Sequence, residues 1–256
     1  MHYEKFAGSD PVEYYAYKMN NPLDFRERVP ARAVPPGQAE KRPLHEAVID
    51  RLRDMIVQGD LVPQTKLNER VLCERLGISR TPLREAIKLL ASEGLVELLP
   101  NRGAMVAPLD PQRVKEIFVV MGGLEALAGE LACRDASDAD ISEIRALHYQ
   151  MIAHHKRGEL ADYFHYNQLI HIKLVACAGN ATLTQTYRSL NAHVRRARYM
   201  ANLSRERWDK AVEEHEQILE ALVKRDSKRL QQLLRDHLAN KLVVVMEALA
   251  AGEQNR

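Results

Sequence analysis

The sequence predicts a mainly α-helical protein, with short N-terminal helices and a small β-hairpin followed by an all-α helical bundle. From Val114 onward, apolar residues recur at helical spacing in about six segments that are separated by short turns. Ahead of that point, two short apolar runs flank the turn-forming stretch Pro100 to Gly103, which is typical of a hairpin. Two short helical patterns precede the hairpin. Together these observations favour a winged helix-turn-helix followed by a bundle.

The composition is that of an ordinary globular protein, with 46% hydrophobic and 28% charged residues in 256. The net charge of +2 is modest, so an argument for nucleic-acid binding depends on where the charges lie. No apolar run approaches the ~18 residues that span a bilayer, and the N-terminus lacks a hydrophobic signal core. We therefore expect a cytoplasmic protein with no membrane partner. We expect the cysteines to be buried, reduced thiols: Cys73, Cys133 and Cys177.

The chain divides into three predicted parts. Residues 1–40 contain five prolines and no sustained hydrophobic period, which predicts a flexible N-terminal extension. Residues 41–108 hold a helix from Leu44 to the break at Gly59, the two short helices and the hairpin, and form the predicted winged helix-turn-helix. Residues 111–250 form the predicted bundle.

Two short helices joined by a sharp turn have the geometry of a helix-turn-helix. The first covers Asn68 to Leu76 and the second covers Ser79 to Ser92, and Gly77 permits the turn between them. Ser79 or Thr81 can cap the second helix. This arrangement predicts that the second helix enters a major groove of DNA.

Arginines lie where such a helix would meet base edges. Arg80 and Arg84 share one face near the N-terminal end of the second helix, while the apolar residues of that helix face inward. The planar fork of arginine pairs bidentately with guanine. Asn101 and Arg102 lie at the predicted hairpin tip, where a wing would meet the DNA backbone or minor groove. Out of this context, the same arginines would be read as a solvated helix face.

The stretch LNERVLCERLGISRTPLREAIKLLASEGLVELLPNRGAMV resembles the GntR-family winged helix over its whole length. In related repressors, DNA is contacted by an arginine of the first short helix, by the start of the recognition helix and by the wing. One departure is that many relatives have Pro-Gly where this chain has Pro63-Gln64. The resemblance implies DNA contacts from Arg70, Ser79, Arg80, Thr81, Arg84, Asn101, Arg102 and Gly103.

Three histidines interrupt apolar helical stripes of the bundle: His171, His215 and His237. A buried imidazole needs a polar partner, and a single one is most often a hydrogen-bonded core residue. Three of them in one bundle suggest a metal centre, for which neutral imidazoles suit Zn²⁺ or Ni²⁺. The other histidines show no such convergence, and we interpret them as surface or incidental residues: His2, His45, His148, His154, His155, His165 and His193.

The stretches NQLIHIKLVACAGN, EEHEQILEALVKRD and RDHL resemble the FadR-type ligand domain, abbreviated FCD, over residues 111–250. In the metal-binding branch of that family, the ligands are an Asp or Asn and three histidines. The resemblance therefore implies metal ligands at Asn167, His171, His215 and His237. It also implies a small carboxylate effector beside the metal, and a homodimer.

Candidate residues for holding this effector lie in the stretch NAHVRRARYMAN. Asn191, Arg195 and Arg198 share one helix face, and arginine forks hold carboxylates well. The alternative is an exposed basic helix face with no ligand. Many relatives carry an arginine where this chain has Met121, so its ligand can differ from theirs.

These expectations combine into one functional hypothesis. We expect a homodimeric, sequence-specific transcription regulator that binds operator DNA and is modulated by a carboxylate at a metal centre. Repression is the commoner family mode, and activation stays open. A metal-dependent hydrolase is an alternative, because an open metal site can activate water. However, it leaves the winged helix unexplained, and we expect no enzyme. A non-specific nucleic-acid binder would lose its affinity with salt.

Overall fold

The computed structural model describes residues 44–203 and 205–254. The extension predicted for residues 1–40 lies outside the described residues, as do His2 and the side chain of His45. The chain forms two compact units, with the boundary between Leu109 and Asp110. The prediction of a mainly helical fold with one small antiparallel hairpin is confirmed.

In the part that the structure describes, the first unit contains three helices and a hairpin. Its elements are α1 (Leu44–Val57), α2 (Glu69–Leu76), α3 (Arg80–Ser92), β1 (Val96–Leu99) and β2 (Gly103–Val106). The strands pair antiparallel, with Val96 opposite Val106 and Leu99 opposite Gly103. A shared apolar core lies beneath the helices and the hairpin, and at its centre are Leu52, Ile56, Leu72, Leu83 and Leu90. Burial of these apolar side chains holds the unit together.

Local chemistry fixes the turn between α2 and α3. The Asn68 side chain accepts a hydrogen bond from the Val71 backbone NH at 3.2 Å and caps α2. Gly77 ends α2 with φ +66°, a left-handed conformation that glycine adopts without strain. Ser79 is the N-cap residue of α3, but its side chain makes no capping hydrogen bond.

The departure from the Pro-Gly pattern at Pro63-Gln64 falls at a position whose backbone conformation favours glycine. Gln64 has a φ of +63°, in the left-handed region where a residue with a side chain is strained and glycine is not. This conformation allows the Gln64 NH to donate to the Val106 carbonyl at 2.8 Å, next to the hairpin. A glycine would fit this turn with less strain than glutamine.

The second unit consists, in its described part, of six helices. They are α4 (Pro111–Asp135), α5 (Asp138–Arg157), α6 (Leu160–Ala176), α7 (Ala181–Met200), α8 (Arg205–Val223) and α9 (Ser227–Gln254). Helices α4 and α9 approach closely at Gly129, where an added Cβ would lie 2.7 Å from Leu234 Cδ1. This glycine therefore lets the two helices pack side by side.

Cys133 and Cys177 are buried free thiols as expected, but Cys73 on α2 is only half-buried, because it packs against the edge of the apolar core of the first unit. None of the helices in residues 44–203 and 205–254 combines the length and the apolar composition needed to cross a bilayer.

Candidate DNA interface and candidate metal centre

The residues predicted to contact DNA are all exposed in the first unit. They come from α2, from the start of α3 and from the hairpin tip: Arg70, Ser79, Arg80, Thr81, Arg84, Asn101, Arg102 and Gly103. The inward residues Leu83 and Leu90 of α3 are completely buried. Helix α3 thus separates an apolar face that anchors it from a polar face that is open to a partner.

Arg84 is held in place by Glu69, a contact that the sequence did not predict. Its Nε donates to both carboxylate oxygens of Glu69, at 3.0 and 3.1 Å. This contact ties α3 to the first turn of α2 and raises the pKa of Arg84. The contact with Glu69 fixes the guanidinium group of Arg84, while the side chain remains exposed. This arrangement suits bidentate pairing. Arg70 lies 3.6 Å from Glu74 and is equally exposed.

The hairpin tip presents its polar residues through a tight turn. Asn101 has φ +57° and Gly103 has φ +88°, both in the left-handed region. Asparagine and glycine are the residues that adopt this region at least cost. The Arg102 NH donates to the Leu99 carbonyl at 3.0 Å and closes the turn. The tip therefore projects an asparagine and an arginine into solvent.

In the second unit, three buried histidines from different helices converge. His171 comes from α6, His215 from α8 and His237 from α9, and each is at most 1% exposed. One nitrogen of each ring lies within 4.8 Å of a nitrogen of the other two. The ring centroids are 4.8 to 5.2 Å apart. We call these residues the histidine cluster.

Two rings of the histidine cluster are oriented by carboxylates. His171 Nδ1 lies 3.0 Å from Glu125 Oε2, and His237 Nδ1 donates to Glu214 Oε2 at 2.6 Å. The Nε2 atoms of His171 and His237 are buried, and no residue in the described part of the chain forms a hydrogen bond with them. A carboxylate on one ring nitrogen leaves the lone pair of the other nitrogen free to bind a metal.

Asn167 lies beside His215 with both ends of its amide engaged. Its Nδ2 is 2.6 Å from His215 Nε2, and its Oδ1 accepts a hydrogen bond from Lys241 Nζ at 3.2 Å. His215 Nδ1 is buried, and none of the described residues forms a hydrogen bond with it. Asn167 is thus in contact with the histidine cluster, but its oxygen is directed at Lys241 in this arrangement.

Burial keeps the imidazoles neutral. It lowers the pKa of His171 to about 4, against the opposing influence of Glu125. Burial also holds the pKa values of His215 and His237 well below the ordinary value, and the charge of Lys241 adds to this. Neutral imidazole is the form that binds a metal ion.

The predicted effector residues are brought together only in part. Arg198 is completely buried and donates to Asn191 Oδ1 at 3.0 Å, so this pair is no exposed basic face. Arg198 Nη1 also donates to Tyr187 at 2.9 Å and lies 3.4 Å from Glu125, which connects the pair to His171. Arg195 is half-buried.

Glu125 links the histidine cluster to the pair formed by Arg198 and Asn191. Its Oε1 accepts a hydrogen bond from the Tyr187 hydroxyl at 2.9 Å, and its Oε2 lies against His171. Burial alone would raise the pKa of Glu125, but the polar groups around it, led by His171, lower it to about 2. The carboxylate therefore stays ionised at the centre of the bundle.

Several residues of this region escaped the sequence reading. Glu125, Glu214 and Lys241 were not singled out, although the unusual place of Lys241 in an apolar stripe was a usable signal. His148 was placed among the surface or incidental histidines, but it is buried, with 3% of its surface exposed. It lies on the inward face of α5 together with Ile141, Ile144 and Met151, and this helical spacing was also a usable signal.

Comparison with known proteins identifies both units. Residues 44–106 match the family described as bacterial regulatory proteins, gntR family, and residues 116–240 match the FCD domain. The Nta operon transcriptional regulator of Aminobacter aminovorans is 30% identical over 148 residues, which cover 57% of this chain and 69% of that protein. The transcriptional repressor RspR of Escherichia coli is 28% identical, with 77% of this chain and 86% of that protein covered.

A solved structure supports the fold. The chain resembles Escherichia coli McbR/YncC with a TM-score of 0.71 and 20% identity, over 80% of this chain and 98% of that one. The family matches cover the helix-turn-helix with its hairpin and most of the helical unit. The chain therefore belongs to the GntR family of bacterial DNA-binding transcriptional regulators and carries an FCD domain.

Proposed function

We propose that this regulator is a homodimer that binds operator DNA through its first unit and is controlled by a small carboxylate bound at a divalent metal ion in its second unit. The observation that carries the proposal is the histidine cluster, in which two buried Nε2 atoms have no partner among the described residues. A buried nitrogen without a hydrogen bond is costly, and a metal ion would satisfy it.

The donor set fits Zn²⁺ or Ni²⁺. His171, His215 and His237 would hold the ion, and Glu125 and Glu214 already orient two of the rings. Asn167 would join them only if its amide turned away from Lys241. A bound ion would supply open coordination positions for a carboxylate oxygen.

Arg198 is the group best suited to the other end of the effector. Its Nε and Nη2 atoms are buried and have no hydrogen-bond partner within residues 44–203 and 205–254, while Nη1 is fixed by Asn191 and Tyr187. A guanidinium held in this way pairs with carboxylate oxygens at little further ordering cost. Asn191 would position this arginine, and Arg195 would contribute from the same helix.

We assign DNA binding to the eight predicted contact residues of the first unit, all of which are exposed. Arg80 and Arg84 would read base edges, Ser79 and Thr81 would contact the start of the site, and the hairpin tip would meet the backbone or minor groove. Two such units in a two-fold dimer predict a pseudo-palindromic operator.

The dimer is supported by an apolar face of the second unit. Val119 and Val120 on α4 and Val243 on α9 are 66%, 51% and 58% exposed. A groove of about 320 Å³ runs beside them, lined by Phe118, Val119, Gly122, Gly123, Arg235, Leu238, Ala239 and Leu242. A second copy of the chain would cover this apolar surface.

Sedimentation of wild type and Val119→Asp tests the dimer. We expect wild type to sediment as a dimer and Val119→Asp to form a weaker dimer. A monomeric wild type would contradict the proposal.

We assign the regulator to repression, because its relative RspR is a transcriptional repressor. Effector binding would favour an arrangement of the dimer that binds the operator less well. Such a switch requires only that the effector prefers one arrangement over the other.

Thermal denaturation tests the metal-dependent effector site. Wild type and His215→Ala are heated with a panel of small carboxylates, each with and without Zn²⁺ or Ni²⁺. A ligand at 100 times its Kd stabilises the fold by about 2.7 kcal/mol. We expect one acid to stabilise wild type only with metal, and the variant not at all. If metal shifts wild type and variant alike and no acid acts, the histidines are core residues and the proposed centre is wrong.

Elemental analysis gives an independent measurement. Protein purified without chelator or histidine tag should contain close to one divalent metal ion per chain. Metal-free protein whose stability does not respond to added metal would contradict the proposal.

A further inference from the structure

Lys241 is a buried amine that no carboxylate contacts among the described residues. It is completely buried on α9, and within that part of the chain its one hydrogen-bond partner is the amide oxygen of Asn167, at 3.2 Å. A charged amine has three N–H donors, so this neutral acceptor satisfies only one of them. Burial lowers the pKa of Lys241 well below its ordinary value, although Glu125 and Glu214 oppose this from a distance. An anion bound beside the amine would hold it in its charged form.

The amine of Lys241 lies next to the histidine cluster. The amide of Asn167 lies between Lys241 and His215. Its Oδ1 is 3.2 Å from Lys241 Nζ, and its Nδ2 is 2.6 Å from His215 Nε2. Lys241 also follows His237 by four residues on α9, so both side chains share one face of that helix. An anion bound at the cluster would therefore be within reach of this amine.

The surrounding charges do not remove the excess of positive charge. Glu125 is shared by His171 and Arg198, and Glu214 is shared by His237 and Arg207. Neither carboxylate contacts Lys241. A divalent ion at the three histidines would add more positive charge beside the buried amine. Metal binding alone is therefore opposed by Lys241, and metal binding together with an anion is favoured.

We propose that Lys241 holds the anionic group of the effector, with one carboxylate oxygen on the metal ion and the other accepting a hydrogen bond from Nζ. This inference rests on the proposed function and deepens it, because it assigns the residue that makes metal and carboxylate bind cooperatively. Asn167 then acts as the residue that positions Lys241, and the metal ligands are the three imidazoles. The coupling is reciprocal, so the carboxylate tightens metal binding by the same factor as the metal tightens carboxylate binding.

The test compares Zn²⁺ affinity with and without acetate, the simplest carboxylate. It uses the full chain as wild type, Lys241→Met and Lys228→Met. Lys228 lies on the same helix and is exposed, so its substitution controls for loss of a lysine. In wild type and Lys228→Met, we expect saturating acetate to tighten Zn²⁺ binding about tenfold or more, the size of a hydrogen bond to a charged group. In Lys241→Met, we expect less than a twofold effect of acetate, and Zn²⁺ alone to bind at least as tightly as in wild type.

Two results would overturn the inference. One is an unchanged acetate effect in Lys241→Met. The other is loss of Zn²⁺ binding in a variant that circular dichroism shows to be folded, since Lys241 would then be a metal ligand itself. Lys241→Gln is a second variant with the same expected outcome, should the methionine variant not fold.

Failure of the metal centre is recognised separately. If wild type and variants all fail to bind Zn²⁺, the proposed function is wrong in that respect, and acetate-dependent thermal stability of the metal-free protein decides the role of Lys241. A stabilisation by acetate that wild type shows and Lys241→Met lacks supports the anion contact. Equal responses, including none in either protein, contradict it.

Discussion

The two units of this regulator use charged residues in opposite ways. In the first unit, the arginines assigned to DNA are exposed and the core is purely apolar. In the second unit, charged and polar side chains lie inside the bundle, where Glu125, Arg198, Lys241 and three histidines are nearly or completely inaccessible to solvent. Polyanionic DNA requires an open charged surface, whereas a small anion is bound best where water is excluded.

This difference predicts different sensitivities to substitution. On the proposed function, a charge on the surface of the first unit contributes to DNA binding and contributes little to stability. A charge inside the second unit contributes strongly to stability, because its removal leaves a partner buried and unpaired.

Removal of Glu125 should destabilise the second unit most. Glu125→Ala leaves Arg198 without its carboxylate and His171 without its partner. Loss of one member of a buried pair costs about 3–5 kcal/mol. Chemical denaturation measures the free energy of unfolding of wild type and variant. Asp135→Ala removes a carboxylate that pairs with Arg134 at the surface, and its unfolding curve should overlay that of wild type. Equal effects of the two substitutions would refute the contrast.

Acid should destabilise the second unit as the pH falls below the ordinary pKa of histidine. His171 has a pKa of about 4 in the folded chain and 6.5 when unperturbed, so its contribution is complete above pH 6.5 and is lost as the pH falls toward 4. By linkage this amounts to about 3 kcal/mol. The lowered pKa of Glu125 acts in the same direction, from about 4.5 toward 2.

The melting temperature of metal-free protein between pH 7 and 4 measures this dependence. His171→Asn should reduce the slope of the curve between pH 6.5 and 4, because one of three buried rings with lowered pKa values is gone. An unchanged slope in this variant would show that the pH dependence arises elsewhere.

Arg84→Ala should weaken specific DNA binding and relax sequence preference. We expect a loss of about 1–3 kcal/mol, the range for a bidentate base contact. Anisotropy with a duplex selected from random DNA, at fixed salt, measures the loss. Arg145→Ala, an exposed arginine of the helical unit, is the matched control and should bind like wild type. Unchanged affinity in Arg84→Ala would remove this residue from the interface.

Gln64→Gly should give a small gain in stability. Relief of the left-handed strain outweighs the added freedom of the unfolded chain by about 0.5 kcal/mol, up to 1 kcal/mol at most. Gln58→Gly is the same substitution at the end of α1, where φ is not positive, and it should destabilise the first unit. If both variants lose stability equally, strain at Gln64 is not the explanation.

The sequence predicted the first unit well because its signals are local. The turn at Gly77, the apolar face of α3 and the hairpin at Asn101 each depend on a few neighbouring residues. A short stretch of chain therefore contains most of the information about which side chains are exposed. The contact between Arg84 and Glu69 was missed because it joins two helices across 15 residues.

The interior of the second unit was predicted less completely. Periodicity placed the three histidines on inward faces, and that is where they lie. Periodicity does not show which polar residues of other helices contact the histidines. Glu125, His171 and Arg198 belong to three helices, and the contact between Glu125 and Arg198 spans 73 positions of the chain. Such partners become visible only when the bundle is assembled.

We propose that occupancy of the buried site in the second unit controls DNA binding by the first. Anisotropy on the selected duplex tests it, for wild type and His237→Ala, with Zn²⁺ and the carboxylate that thermal denaturation identifies. We predict that the ligands change the DNA affinity of wild type by about fivefold or more and leave His237→Ala unaffected. A carboxylate that stabilises the wild-type fold yet leaves its DNA affinity unchanged would contradict the claim.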